Sequence, residues 1–520
     1  MSNGNNLRLQ IYVPATGLRR WQTRVIEALA ARADVTCGVT AVAGGGGVAG
    51  LDALFEFDRL FAGRATVTDA DLVAAPAFAD PPETPDLALD LAGGVEPTVE
   101  VALLRPLCLG LPPLAGALAA VLADRVPVCE VIRRERGADP RVIERWAIAV
   151  EDRANTLRAV AQILARLAHM TVAAVVDRDR PAGSRRAPAP AVAAARPIPF
   201  AAPAALARSL ADRIRRRLDR LVRRPVDWRV ITRLRDPAAD PLAPERDPTP
   251  FRRLADDGRR FYADPFVRRE AGRTWLFVEE FPYATGRGVL SVAEIAADGT
   301  VATPRPFLEQ DCHLSYPQIF SADGALWMVP ETSGRRTVEL WRAVAFPDRW
   351  EKHAVLVDGV DLGDATLLRR DDGWWMFACR REPGCSSWDA LEIRHAPSLL
   401  GPWREIAPAP AKVDVASARP AGAMILAGGA LLRPTQNSSR GYGCGMGLAR
   451  VDRLGPDGFA ETEIKRLFPP PPIAGLHTWN RAATPTGLIE VMDVYARADD
   501  LGPARRLAFG ATGPGRIFET

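Results

Sequence analysis

Between Leu7 and Val176 the apolar positions alternate between short runs that suit strands and 3.6-residue stripes that suit helices. Leu7 to Val13 is an apolar run and predicts a strand; the stretch from about Arg19 to Arg32 predicts a helix, and the two make a βα opening. Asp34 to Val39 predicts a second strand that runs into Gly44-Gly45-Gly46-Gly47, and Asp86 to Leu91 a third that ends at Gly93-Gly94. Glycines after strand ends sit where α/β folds place ligands. The four-glycine run lacks the G-x-G-x-x-G spacing with a helix behind it, so a flexible loop is expected there rather than a phosphate cradle. Long helices are expected over Arg141 to Ala168, covering one face of the sheet.

The period stops at Arg178. Residues 178–203 are Pro, Ala and Arg, as in Arg185-Arg186-Ala187-Pro188-Ala189-Pro190, the composition of an extended linker. A basic helix is expected over 204–224, with Leu206, Leu210, Ile214, Leu218 and Leu221 on one stripe and Arg215, Arg216, Arg217 and Arg220 elsewhere. Two readings of it stand: a connecting helix whose leucines pack on a neighbouring domain, or a peripheral contact with an acidic membrane surface. Residues 204–260 form this helix and a lead-in segment.

Beyond Arg260 the chain turns to short strands rich in Trp, Phe and Val, separated by Asp-Gly and Gly turns, and it repeats. Asp264-Pro265-Phe266-Val267 leads to Trp275-Leu276-Phe277-Val278, Tyr316-Pro317-Gln318 to Trp327-Met328-Val329, and Asp364-Ala365-Thr366 to Trp374-Trp375-Met376-Phe377. Arg419-Pro420-Ala421-Gly422 leads to Leu431-Leu432, and His477-Thr478-Trp479 to Leu488-Ile489-Glu490. The starts lie about 50 to 60 residues apart, the length of a four-stranded propeller blade, and five of them predict a five-bladed β-propeller over 261–520. The recurring Trp275, Trp327, Trp375 and Phe377 are expected to fill the space between blades.

Composition narrows the function classes. With 48% hydrophobic and 25% charged residues the chain is an ordinary globular one, and 67 Lys plus Arg against 63 Asp plus Glu is too balanced for a nucleic-acid partner. The N-terminus lacks the basic start and apolar stretch of a secretory signal, and the most apolar windows, Leu103 to Ala123 and Ala154 to Val176, are interrupted by Arg, Pro and His. A cytoplasmic protein without a membrane span is therefore expected. The seven cysteines are scattered without a CxxC pair, which argues for reduced thiols and against a disulfide framework or a cysteine zinc site.

The first strand of each blade lines the central channel, so Asp264, Tyr316, Asp364, Arg419 and His477 are expected at one axial pocket. Structural repeats reuse one residue type at equivalent places; unlike, charged residues there suggest a ligand site. Each Asp taken alone would as readily cap a turn.

These residues also carry a resemblance. Residues 261–500 resemble the five-bladed propeller at the N-terminus of glucosamine inositolphosphorylceramide transferases and, more distantly, family 43 glycoside hydrolases. The matching stretches include Phe261-Tyr262-Ala263-Asp264-Pro265-Phe266, Glu279-Glu280-Phe281, His313-Leu314-Ser315-Tyr316-Pro317, Pro330-Glu331-Thr332-Ser333, Asp361 to Thr366, Ser417-Ala418-Arg419-Pro420 and Gly475-Leu476-His477-Thr478. The first part, residues 1–177, looks like the Rossmann-like formyltransferase-type domain fused ahead of such propellers, but it has no Asn-x-His-Pro-Ser-like motif.

The resemblance implies a catalytic Asp base or nucleophile, which Asp264 fits, an auxiliary Asp, which Asp364 fits, and a Glu acid followed by Gly-Pro or Ala-Pro, for which Glu331 or Glu280 could substitute. Arg419 stands where the family places its acid Glu, and arginine cannot supply a proton. Glycoside cleavage needs two carboxyl groups, one kept protonated. Arg419, Arg440 and His477 instead suit a phosphate, a uronate or another anionic sugar, with Glu280, His313, Tyr316 and Asp361 as further binding residues. No protein metal ligand is assigned, although the resemblance allows an axial metal ion near His477. The expected protein is carbohydrate-active in surface-polysaccharide or glycoconjugate metabolism and transfers or cleaves a glycosyl unit; the alternative is a non-catalytic glycan-recognition module.

Overall fold

A computed structural model describes residues 6–178, 227–236 and 249–501 apart from gaps at 44–46, 49, 63–66, 75–78 and 97–100, together with isolated positions between and after these. It divides into a unit of residues 1–222 with 382–386 and a unit of residues 223–381 with 387–520.

The first unit is built on a six-stranded sheet of β1 (Leu7–Pro14), β2 (Val35–Val42), β3 (Leu87–Asp90), β4 (Leu103–Cys108), β5 (Val128–Arg134) and β6 (Arg141–Ala147), in the order β2-β1-β3-β4-β5-β6. The first four are parallel, and β5 and β6 add on as antiparallel strands. Helix α1 (Arg20–Ala30), α2 (Leu51–Ala62) and α3 (Pro113–Leu122) pack against the long α4 (Thr156–Val176). Helix α4 is long and apolar enough to cross a membrane, yet 72% of that stretch is buried inside the protein.

Two expectations change here. Residues 141–147 are a strand rather than the start of a long helix: Glu144 and Trp146 turn inward on either side of the more exposed Arg145, and pairing with β5 satisfies the backbone. The helix begins only at Thr156, where the Asn155 side chain accepts the Arg158 N–H. The Gly93-Gly94 turn cradles a carboxylate of its own chain. Buried Asp90, at the end of β3, accepts the N–H groups of Ala92, Gly93, Gly94 and Val95 at 2.9 to 3.0 Å and pairs with Arg105. Of the four-glycine loop only Gly47 is described. Most of the 178–203 linker and of the 204–224 helix lies outside the described residues; within the former, Arg186 is buried against Glu144 and Asp177.

The second unit is a five-bladed β-propeller. Its blades open with the inner strands Arg260–Glu270, Ser315–Ala322, Leu362–Arg370, Ile425–Ala427 and Gly475–Thr484, each paired antiparallel with the strand that follows. The hairpin turns Ala271-Gly272 and Asp323-Gly324 take positive φ at both residues, the form whose twist matches the flanking strands. The fifth blade is composite: Gly475–Thr484 pairs with Gly487–Ala496, which pairs with Asp227–Arg235, which pairs with Phe251–Arg253. The ring is thus closed by joining the two ends of the unit, and the segment expected as a lead-in up to residue 260 is part of the propeller.

Trp375 and Phe377 are fully buried among Leu391, Ile393, Ile406 and Phe459, and Trp275 and Trp327 are buried in neighbouring clusters. Replacing Phe377 by Ala should therefore cost about 3–5 kcal/mol of unfolding free energy in urea titration; a loss below about 1 kcal/mol would remove it from the core.

Candidate functional site

Four of the five inner strands carry a register shift at the same place, at Asp264-Pro265, Tyr316-Pro317, Asp364-Ala365 and His477-Thr478. Such bulges insert an extra residue and re-aim its side chain. Asp264, Tyr316 and Asp364 take φ of 48°, 46° and 52°, a left-handed conformation that Asp tolerates and Tyr rarely adopts. Tyr316 holds it because its buried hydroxyl meets Thr366 Oγ1 at 2.9 Å and accepts the Gly422 N–H at 2.7 Å. In the fourth blade Arg419 lies ahead of the inner strand, fastened by the Gln436 N–H donating to its carbonyl.

These positions gather two ionic groups. In one, Arg419 Nε stands 2.5 Å from Asp364 Oδ2 and Arg419 Nη2 3.8 Å from Glu331 Oε2. Glu331 also accepts the Asp364 N–H at 2.9 Å and the Ser333 hydroxyl at 2.7 Å. Burial pushes the Glu331 carboxyl up, but the Arg419 charge and these hydrogen bonds outweigh it and hold it below its ordinary value. Burial raises Asp364 well above the carboxylate range against the pull of Arg419.

In the other, His477 Nδ1 lies 2.7 Å from Asp493 Oδ1 and His477 Nε2 lies 3.6 Å from Asp264 Oδ1. Asp493 accepts the N–H groups of Asp264, His477 and Thr478, and Asp264 accepts the Thr478 hydroxyl at 2.7 Å. Burial lifts Asp264 to about 6, with His477 pulling down and Asp493 and Glu279 pushing up. Burial lowers His477, and the neighbouring Asp493 and Asp264 more than restore it, so its net shift is upward.

Beside these groups opens a pocket of about 450 Å³ lined by Glu331, Ser333, Gly334, Asp361, Gly363, Arg381, Ser387, Trp388, Arg419 and Tyr442. Of the expected residues, Glu331, Asp361 and Arg419 form its wall. Asp364 lies behind Arg419, and His477 meets the wall through Tyr442, whose ring stands edge-on to it at 5.4 Å. Asp264 and Asp364, with side chains 8% and 2% exposed, are buried and do not line this pocket.

Four expected residues, Arg440, Glu280, His313 and Tyr316, neither line this pocket nor belong to the two ionic groups. Arg440 is exposed, its guanidinium over Phe468. Glu280 is tied to Arg260 and accepts the Ser291 hydroxyl at 2.6 Å. Its neighbour Glu279, on the opposite face of the strand, is the one that meets His313 Nε2, at 3.2 Å, and that acts on Asp264. Sequence reasoning also missed Asp493, Arg381, Ser387, Trp388 and Tyr442. A signal existed for Asp493, an acid in the apolar run Ile489-Glu490-Val491-Met492-Asp493-Val494, and for Tyr442, bracketed by Gly441 and Gly443.

Residues 252–490 match the family described as "Glucosamine inositolphosphorylceramide transferase 1, N-terminal". A protein of that name from Oryza sativa subsp. indica is 33% identical over 208 residues, 39% of this chain and 28% of the relative, and one from Arabidopsis thaliana is 28% identical over 208 residues, 39% and 27% respectively. The chain thus spans less than a third of the length of the curated relatives it matches. Among solved structures, an exo-1,5-alpha-L-arabinanase from a bovine ruminal metagenomic library is similar at 17% identity, covering 51% of this chain and 97% of that one, with a TM-score of 0.34. A family 117 glycoside hydrolase from Zobellia galactanivorans is similar at 10% identity over 53% and 92%, with a TM-score of 0.33.

Proposed function

We propose that the propeller is the carbohydrate-active part of a cytoplasmic protein of surface-polysaccharide or glycoconjugate metabolism, and that it takes a glycan, sugar phosphate or nucleotide sugar in the axial pocket. The observation that carries this reading is the convergence of unlike, buried charged groups on equivalent bulges beside one pocket, where repetition alone would have reused a single residue type. Arg381 on the pocket wall, which donates to the Ser387 hydroxyl at 3.3 Å, supplies a guanidinium for an anionic substituent. Asp264 acts on the reacting sugar as base or nucleophile, and Asp364, sealed behind Arg419, sets the charge of the site from within. The first unit is assigned a Rossmann-like, non-transferring role.

A cation beside His477 belongs to the same proposal. Asp264, His477 and Asp493 each offer a ligand atom, all within 4.8 Å of one another, and two carboxylates with an imidazole suit a divalent ion. Asp493 already accepts three backbone N–H groups, so the ion would rest chiefly on Asp264 and His477. Such an ion would hold charge near the sugar.

The test is a thermal-shift screen with nucleotide sugars, sugar phosphates and acidic oligosaccharides, followed by product analysis of each hit. Turnover would support the enzymatic reading. Binding without product would support the glycan-recognition module, which the ionised, arginine-paired state of Glu331 favours because it leaves that carboxyl no proton to give. Neither binding nor product on any of these ligands would overturn the carbohydrate reading.

With no cation bound, Asp264 fixes the pH dependence. Turnover that uses its carboxylate should rise tenfold per pH unit below about 6 and level off above, read as a kcat/KM profile. The sign for stability is opposite: the folded state holds this proton more tightly than the unfolded chain, whose value is 3.8, so the contribution is complete below about pH 4 and lost as pH rises to about 6.

A further inference from the structure

The axial pocket has an aromatic side that the ionic groups leave unexplained. Trp388 and Tyr442 both line it, with ring centroids 5.3 Å apart and planes at 42°. The tryptophans and phenylalanines that fill the space between blades, such as Trp275, Trp375 and Phe377, are 5% exposed or less, whereas Trp388 and Tyr442 are half-buried at the pocket wall and belong to none of those clusters. A core role does not account for that placement.

Tyr442 is held rigidly. Gly441 and Gly443 on either side of it take φ of 131° and 58°, and a Cβ at Gly443 would lie 2.8 Å from both the His477 Cβ and the Trp228 ring. The Gly443 N–H donates to the Ser438 hydroxyl at 3.2 Å, and its carbonyl accepts the Leu476 N–H at 2.7 Å, which pins the turn to the inner strand of the fifth blade. Trp228 lies flat on His477 at 3.7 Å and edge-on to Tyr442 at 6.0 Å, so the ring is supported from behind. The Arg419 guanidinium stands 5.4 Å from the Tyr442 ring centroid. An aromatic surface fixed in this way loses little rotamer freedom when a ligand covers it.

A sugar ring has an apolar C–H face and a polar rim of hydroxyls. The pocket offers the complement: two aromatic rings on one side, and Glu331, Asp361, Ser333 and Ser387 as hydrogen-bonding groups for hydroxyls. We propose that Trp388 and Tyr442 form a stacking subsite that receives the C–H face of one sugar ring, and that this pair sets which sugar the pocket accepts. The proposal rests on the carbohydrate reading above and adds to it the element that recognises the uncharged part of the ligand. A ring with one face clear of axial hydroxyls should bind best.

The test uses the full chain and three probes, methyl β-glucopyranoside, glucuronic acid and glucose 1-phosphate, with binding followed by isothermal calorimetry and saturation-transfer NMR. Wild type should bind at least one probe and show the strongest saturation on the ring C–H protons. Trp388→Ala and Tyr442→Ala should each weaken it about tenfold, while Trp388→Phe and Tyr442→Phe, which keep a stacking ring, should stay within about threefold. Both side chains are half-buried, so the unfolding midpoint of each alanine variant is measured alongside its affinity, and a variant that unfolds is replaced in the comparison by Trp388→Leu or Tyr442→Leu. Wild-type affinity in the folded alanine or leucine variants, or phenylalanine variants as weak as alanine, would overturn the stacking subsite and leave the carbohydrate reading standing. Failure of wild type to bind any of the three at high millimolar concentration would overturn both.

Discussion

Asp264→Asn should reduce glycosyl transfer or hydrolysis by about 10³-fold or more while moving the thermal midpoint little. The carboxylate stands beside His477 on the inner strand of the first blade, and its proposed chemistry as base, nucleophile or stabiliser of an oxocarbenium-like centre needs the negative charge. The amide is isosteric and neutral. It tolerates the φ of 48° at this bulge about as well as Asp does, and its oxygen can still accept the Thr478 hydroxyl. It also removes the repulsion that Asp493 and Glu279 exert on Asp264. Loss of turnover with an intact fold is therefore the expected result, read by product formation and by thermal unfolding of the same preparation. Wild-type turnover would move the chemistry away from Asp264. Asp264→Ala is the contrasting variant: it loses the hydrogen bond and strains the left-handed backbone, so it should cost stability as well as activity.

Arg419→Met should be the most destabilising change at the site, by about 3–5 kcal/mol at pH 7. Arg419 is the cation that faces both Asp364 and Glu331, whose side chains are only 2% and 13% exposed. Removing it leaves two buried carboxyl groups together. Glu331, which Arg419 now keeps below its ordinary value, would then be driven upward by burial and by Asp364. Both carboxyls in the variant would hold protons more tightly folded than unfolded, so the defect should shrink as pH falls. Urea titrations at pH 5 and pH 7 check this directly. A cost below about 1 kcal/mol, or one independent of pH, would mean that the arginine does not balance these acids. Because Arg419 also lines the pocket, loss of ligand binding in the same variant says less about its role than the stability does.

Much of the propeller was legible because its signals are local. A strand shows its two-residue alternation, a hairpin shows its Asp-Gly or Gly turn, and a blade shows its length, all within about 60 residues of chain. The same locality located Asp264, Tyr316, Asp364 and His477, because equivalent positions of a repeat occupy equivalent places on its inner strand. Parity was not legible. A bulge at Asp264-Pro265 shifts the register by which one counts in-facing residues, so the choice between Glu279 and Glu280 was settled only by the pairing of Ala263 with Glu279 across the sheet.

The first unit shows the same division. Its opening strand and helix carry their own period, but residues 141–147 were misread because an edge strand of alternating burial and an amphipathic helix share short stretches of pattern. Only pairing with β5 decided between them.

The sequence alone determined the repeat, the blades and the residues that open them, since each depends on neighbours along the chain. The tertiary structure decided what depends on distant partners. Asp227–Arg235 joins Gly487–Ala496 because the ring must close and no local pattern encodes that pairing. Asp493 becomes an anchor only when Asp264 and His477 bring their N–H groups to it from two blades. Tyr442 and Trp388 become a pocket wall only when loops far apart in sequence meet, because burial and electrostatic neighbours are properties of the assembled core.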